Sequence, residues 1–152
     1  MKPSQQIIDF CKSYEKFKAK AYMPTPNDRP TLGYGATFHL DGTPVKMGET
    51  ITEPEAAAIV EARLQVLADQ ITLNGKVAMS QQRLDAIISL CDNIGYSTFK
   101  KSRTGQMMYE GKDIGDRFKL YDIQAGKILK GLTLRRAAEA NIYKNGVYVN
   151  HD

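Results

Sequence analysis

The chain has 152 residues, is 42% hydrophobic and 25% charged, and carries a net charge of +4. That length suits one domain with its own core and is short for two, and no apolar run approaches the length that spans a bilayer. Two histidines and two cysteines without ligand spacing argue against a metal centre, so neither metal nor organic cofactor is expected.

The N-terminus turns amphipathic at once instead of entering an apolar signal core, so the chain is expected to have no route of its own across a membrane. A helix is predicted over about 4–18, with Ser4 as N-cap and Ile7, Phe10, Cys11, Tyr14 and Phe17 on one buried face. Glu15 follows Cys11 by four and therefore lies at the edge of that face. Residues 22–50 lack helical periodicity. Pro24, Pro26 and Pro30, the Gly33-Tyr34-Gly35 step and a hairpin signal at Asp41-Gly42 mark a small β lobe, with Pro44 restricting its second strand to an edge.

Thr52 and Glu55 form a capping box that opens a long helix, striped by Val60, Leu64, Leu67 and Ile71 and stopped at Asn74-Gly75. Ser80 caps a buried helix through Leu84, Ile87, Ile88 and Cys91, ending near Gly95. Further helices are predicted at about 102–109, 113–124 and 133–144, the last capped by Thr133, with breaks at Gly111, Gly126 and Gly131. The tail after Val147 is read as a short strand or a frayed end. Cys11 and Cys91 are read as buried free thiols.

From Lys100 to Lys144 there are eleven Lys/Arg against five Asp/Glu. Such a field favours an anionic polymer, but no nucleic-acid reading motif accompanies it and no nucleic-acid partner is expected.

An acid beside an apolar helix face, followed by a polar loop with a second carboxylate, is what glycoside hydrolysis requires. Apolar neighbours and a helix C-terminus both disfavour an ionised Glu15, which suits a proton donor. Spacing alone favours a surface Glu15 paired with Lys12 or Lys18. Thr31 reads equally as an ordinary strand residue, and Asp28 as a turn-former in Pro26-Asn27-Asp28-Arg29-Pro30.

The run Tyr14–Tyr22, the polar loop and Thr31-Leu32-Gly33-Tyr34-Gly35 together resemble the phage-type lysozymes, the endolysins and muramidases of glycoside hydrolase family 24. Met79–Leu90 with Asn93-Ile94-Gly95, then Phe99 and Ser102, then Gly131–Glu139 continue the resemblance in order to Tyr143. It implies an α+β, lysozyme-like fold: a small β lobe and a larger helical lobe joined by a long helix, with a cleft between them. It also implies cleavage of the β-1,4 bond between N-acetylmuramic acid and N-acetylglucosamine in bacterial peptidoglycan. Glu15 takes the general-acid position and Thr31 the position that holds the attacking water.

The family's common second carboxylate, nine residues after the Glu, falls here on Pro24. Asp28 is the acid left between Glu15 and Thr31 and is the candidate base, with Asp41 behind it. Without such a base, Glu15 alone would make the protein a lytic transglycosylase. Loss of activity altogether would leave a peptidoglycan-binding protein. Tyr22 and Tyr34 are candidate sugar contacts, since the chain has no Trp. Arg135 or Arg136 either reaches the cleft, as an Arg does in relatives, or pairs internally with Glu139; Arg135 is kept as a candidate substrate contact. The resemblance further implies a monomer without stable membrane insertion. It would wait in the host cytoplasm for a holin-like permeabilising protein, then act in the cell wall or periplasm.

Overall fold

Ser4 opens the first helix as expected, its Oγ accepting the Ile7 N–H at 3.1 Å. That helix, α1, is Gln5–Ser13 and stops five residues short of the predicted end. Its last turn tightens through Tyr14 N–H to Cys11 O at 3.2 Å and Glu15 N–H to Lys12 O at 3.0 Å. The following backbone is then claimed by a sheet. Strand β1, Lys18–Tyr22, pairs antiparallel with β2, Thr31–Gly33, so Phe17 and Lys18 are unavailable to the helix.

The computed structural model describes residues 1–75 and 77–152. They divide into a sheet unit, Ile8–Leu64 with Asn150–Asp152, and a helical unit, Met1–Ile7 with Gln65–Val149. Helix α2, Glu53–Leu73, contributes residues to both, as does α1.

The sheet unit has a small apolar centre of Ala21, Leu32 and Val45, with Ile51 packed on it. The Asp41-Gly42 turn forms as predicted: His39 N–H bonds to Thr43 O at 2.9 Å, and Phe38 bridges to Pro44. Asp41 Oδ1 fixes the turn by accepting both the N–H and the hydroxyl of Thr43, at 2.9 and 2.6 Å. The capping box also forms, with Glu55 N–H on Thr52 Oγ1 at 3.3 Å and Thr52 N–H on Glu55 Oε1 at 3.2 Å. The tail neither frays nor forms a strand. His151 stacks on Tyr14 with ring centroids 4.9 Å apart, and its N–H bonds to Ser13 Oγ at 2.9 Å.

The helical unit holds α3, Gln81–Ile94, α4, Tyr96–Lys101, α5, Arg103–Tyr109, and α6, Lys130–Asn145. Helix α6 packs on α3 and on a 3-10 turn, Gly115–Tyr121. Leu84, Ile87, Ile88, Phe99, Phe118 and Ile142 are all sealed from solvent. Ser80 and Ser102 cap α3 and α5 through their hydroxyls.

Three expectations fail here. Helix α4 occupies a stretch between Gly95 and residue 102 for which no element was predicted. The predicted helix at 113–124 is instead the 3-10 turn followed by a hairpin of β3, Ile123–Gln124, and β4, Lys127–Ile128. Helix α6 begins at Lys130, so Thr133 lies inside it, its hydroxyl 2.9 Å from Asp122 Oδ2, and Gly131 sits in the first turn without breaking it. Among the described residues, no helix is long and apolar enough to cross a membrane.

Candidate active site

Glu15 lies two residues beyond α1, half-buried, where the tightened turn directs the chain into β1. Its carboxylate sits against the loop that follows β2. A methyl group added at Gly35 would lie 3.1 Å from Glu15 Oε2 and 3.4 Å from its carboxyl carbon. Gly35 has φ +80° and Gly33 φ +63°, so both occupy backbone that side-chain-bearing residues avoid. Gly33 is crowded as well: a methyl there would come within 2.9 Å of Ala56 Cβ on α2. The Gly-Tyr-Gly step is therefore required sterically, at one end by α2 and at the other by Glu15.

Between those glycines, Tyr34 is held on three sides. Its hydroxyl donates to Glu53 Oε1 at 2.9 Å, and the Lys12 ammonium lies 3.0 Å from the same oxygen. Lys12 Nζ also lies over the Tyr34 ring, 5.2 Å from its centroid, and Phe17 packs on that ring at 5.4 Å. The charges reinforce one another. The bond to Glu53 raises the Lys12 pKa, while Lys12 first and Tyr34 second lower that of Glu53. Burial, and then the bond to Glu53, raises that of Tyr34. Sequence reasoning considered Lys12 only as a partner of Glu15 and missed Glu53. The capping box drew attention to Glu55, and nothing in their spacing links residues so far apart.

Thr31 is nearly buried, at 5% exposure, and its hydroxyl donates to Arg29 O at 3.0 Å. With its proton committed there, the oxygen is left to accept from a partner. Asp28 sits in an exposed turn closed by its N–H on Thr25 O at 3.1 Å, and its Oδ1 accepts the Arg29 N–H at 2.8 Å. Those are the bonds of a turn-former. Arg29 in turn lies over the Phe38 ring at 4.4 Å. Tyr22 is half-buried, with Lys18 over its ring at 5.8 Å.

The sheet unit also carries an open groove of about 730 Å³ lined by residues including His39, Leu40, Asp41, Glu49, Ile51 and Glu55. Glu15, Asp28 and Thr31 do not line it. Its carboxylates are held by their own neighbours: Asp41 by Thr43, Glu49 by His39, and Glu55 by Thr52.

In the helical unit, Arg135 and Arg136 surround Glu139. Arg135 Nε lies 3.3 Å from Glu139 Oε2, and its Nη2 lies 3.3 Å from Ser89 Oγ. Arg136 Nε lies 2.6 Å from Glu139 Oε1, while its Nη1 bonds to Asn93 Oδ1 at 2.9 Å. The Ser89 hydroxyl donates to Glu139 Oε2 at 2.5 Å. Burial pushes the Glu139 pKa up against the opposing pull of the two guanidiniums. These contacts match the internal pairing considered for the two arginines.

The comparisons with known proteins agree with this architecture. The family model described as Phage lysozyme matches residues 12–139. The endolysin of Bacillus phage PZA is 30% identical over 153 aligned positions, which cover 99% of this chain and 58% of that protein. The chain thus spans less than two thirds of that relative's length. Among solved structures, the endolysin of Escherichia coli O157:H7 phage FAHEc1 superposes with a TM-score of 0.85 at 29% identity, covering 99% of this chain and 98% of that one. A P22 lysozyme variant gives a TM-score of 0.80 at 32% identity, covering 94% of this chain and 98% of that one. The fold is α+β and lysozyme-like, and the chain belongs to the phage lysozyme family.

Proposed function

We propose that the protein is an endolysin that hydrolyses the β-1,4 bond between N-acetylmuramic acid and N-acetylglucosamine in bacterial peptidoglycan. The observation that carries this is the Glu15 carboxylate set against Gly35 in a chain of this family. Glu15 delivers its proton to the glycosidic oxygen as the bond to the anomeric carbon breaks, and charge develops on the sugar. Water attacks that carbon from the opposite face and gives its proton to a base. Thr31, whose oxygen is left to accept, takes one hydrogen of the water and so aims its lone pair.

Asp28 is the candidate base, and Tyr22 is the candidate sugar contact. Arg135 reaches substrate only if it can be spared by Glu139 and Ser89. The Tyr34 ring, already flanked by Lys12 and Phe17, suits a holding role better than sugar stacking. The exposed, turn-bound Asp28 favours one second reading. If it does not serve as base, the sugar's own hydroxyl attacks and leaves an anhydro end. In the cell, we infer a monomer that is held in the host cytoplasm until a holin-like protein opens the membrane and admits it to the wall.

Digestion of purified peptidoglycan with the wild-type chain, Glu15→Gln and Asp28→Asn, with sugar ends read by mass spectrometry, tests this. Reducing muramic acid ends from wild type and their absence from Glu15→Gln support the hydrolase, with loss in Asp28→Asn identifying the base. Anhydro ends establish the transglycosylase. Binding to the wall without cleavage makes it a wall-binding protein, and full activity of Glu15→Gln removes Glu15 from the mechanism.

A further inference from the structure

Three elements meet at one carboxylate oxygen. Lys12 comes from the last turn of α1, Tyr34 from the loop after β2, and Glu53 from the first residue of α2. Two of them are directly coupled to the candidate acid. The Lys12 carbonyl accepts the Glu15 N–H at 3.0 Å, and Tyr34 is joined by a peptide bond to Gly35, which abuts the Glu15 carboxylate.

The loop is closed at its base by two backbone bonds, Leu32 N–H to Ala36 O and Ala36 N–H to Leu32 O, each 2.9 Å. A glycine on each side of Tyr34 still leaves its apex free to tilt towards or away from Glu15, and a side-chain anchor removes that freedom. Helix α2 supplies two fixings from one face, because Glu53 and Ala56 are three residues apart. Ala56 packs on Gly33, and Glu53 takes the Tyr34 hydroxyl. Gly33 is thus pinned at one end of the step and Tyr34 in its middle, which leaves Gly35 little room except against Glu15.

We propose that Glu53, by bridging Lys12 and Tyr34, is a positioning residue that holds the Gly35 backbone against the Glu15 carboxylate. The proposal rests on Glu15 being the acid. Glu53 acts through Tyr34 and Lys12 and not on the reacting atoms itself. It sets the surroundings of the group that does, and a small displacement of such a group lowers turnover more than binding.

The test compares Glu53→Ala and Glu53→Gln on soluble peptidoglycan fragments. The side-chain carboxyl carbon of Glu15 is followed by NMR in ¹³C-glutamate-labelled protein, its signal assigned by its loss in Glu15→Gln. Glu53→Ala is expected to lower kcat about tenfold with KM within about twofold, and to move the Glu15 signal, while the thermal midpoint stays near that of wild type. Glu53→Gln, whose amide oxygen still accepts from Tyr34 and Lys12, is expected to restore both. Arg103→Gln, which removes an exposed pair with Glu110 at 3.1 Å in the helical unit, should change neither.

An unmoved Glu15 signal in Glu53→Ala overturns the proposal. So does a rise in KM at constant kcat, or a Glu53→Gln variant as impaired as the alanine. If the wild type cleaves nothing, the hydrolase reading fails by itself, and the NMR signal alone then decides the positioning role.

Discussion

Glu53 and Glu139 each bridge more than one donor, and they differ in their access to water. Glu53 in the sheet unit is exposed and bridges Lys12 and Tyr34. Glu139 in the helical unit is wholly buried between Arg135, Arg136 and Ser89. In water an ion pair adds little stability because solvent screens it, so the worth of Glu53 lies in the geometry it selects. Away from water, two guanidiniums and a carboxylate cannot be separated without stranding a charge, and removing one member is severe. One bridge is therefore expected to govern turnover and the other the persistence of the fold.

The sharpest way to separate those roles is to remove one carboxylate from each unit. Glu15→Gln should reduce peptidoglycan cleavage by about 10²–10⁴-fold with an unchanged thermal midpoint, read by turbidity clearing beside calorimetry. Glu139→Ala should instead destabilise the fold by about 3–5 kcal/mol in urea titration, because it leaves two buried guanidiniums without their shared anion. Any residual activity should follow the folded fraction. An equal loss of stability in both variants would break the contrast.

Gly35→Ala probes the boundary between the two effects. The positive φ and the 3.1 Å approach to Glu15 both resist a methyl group, at a cost of about 1–2 kcal/mol, and activity should fall further than stability. Thr52→Ala should cost about 1 kcal/mol through the lost cap of α2 and leave the pH–rate profile unchanged.

The smallest effect concerns pH. The Glu53 pKa is lowered in the folded chain, so the stability it contributes is present above the ordinary carboxylate range and is lost as pH falls through the lowered value. The Lys12 pKa is raised, so its share is lost only as pH rises through that raised value. The bridge is intact above the ordinary carboxylate range and below the ordinary lysine range, so the small thermal-midpoint difference between wild type and Glu53→Ala should vanish as pH falls below that window.

Local chemistry explains what was legible beforehand. Ser4, Ser80, the Thr52–Glu55 box and the Asp41-Gly42 turn each act within a few residues, and each forms as the side chains require. Glu15 and the Gly-Tyr-Gly step were found as a motif, but the reason for the glycines was not, because it depends on Ala56 and Glu15 closing in from elsewhere. The end of α1 was misplaced for a similar reason: Phe17 fits the helical stripe, yet pairing of Lys18 with Gly33 takes the backbone first. Thr133 looked like a cap because its neighbours are helical, while the true start at Lys130 uses no side-chain cap at all. The thiols followed from periodicity alone. Both are buried, and burial pushes the Cys91 pKa well up, so neither should react with alkylating reagents in the native state.

Ala125 sits at φ +51° in the two-residue turn between β3 and β4, a conformation that favours glycine or asparagine. The strands it joins have two residues each and leave Ile123 and Ile128 largely uncovered. This ribbon is an economical place for engineering. Ala125→Gly would relax it, and lysines in place of the two isoleucines would discourage sticking during storage at high concentration.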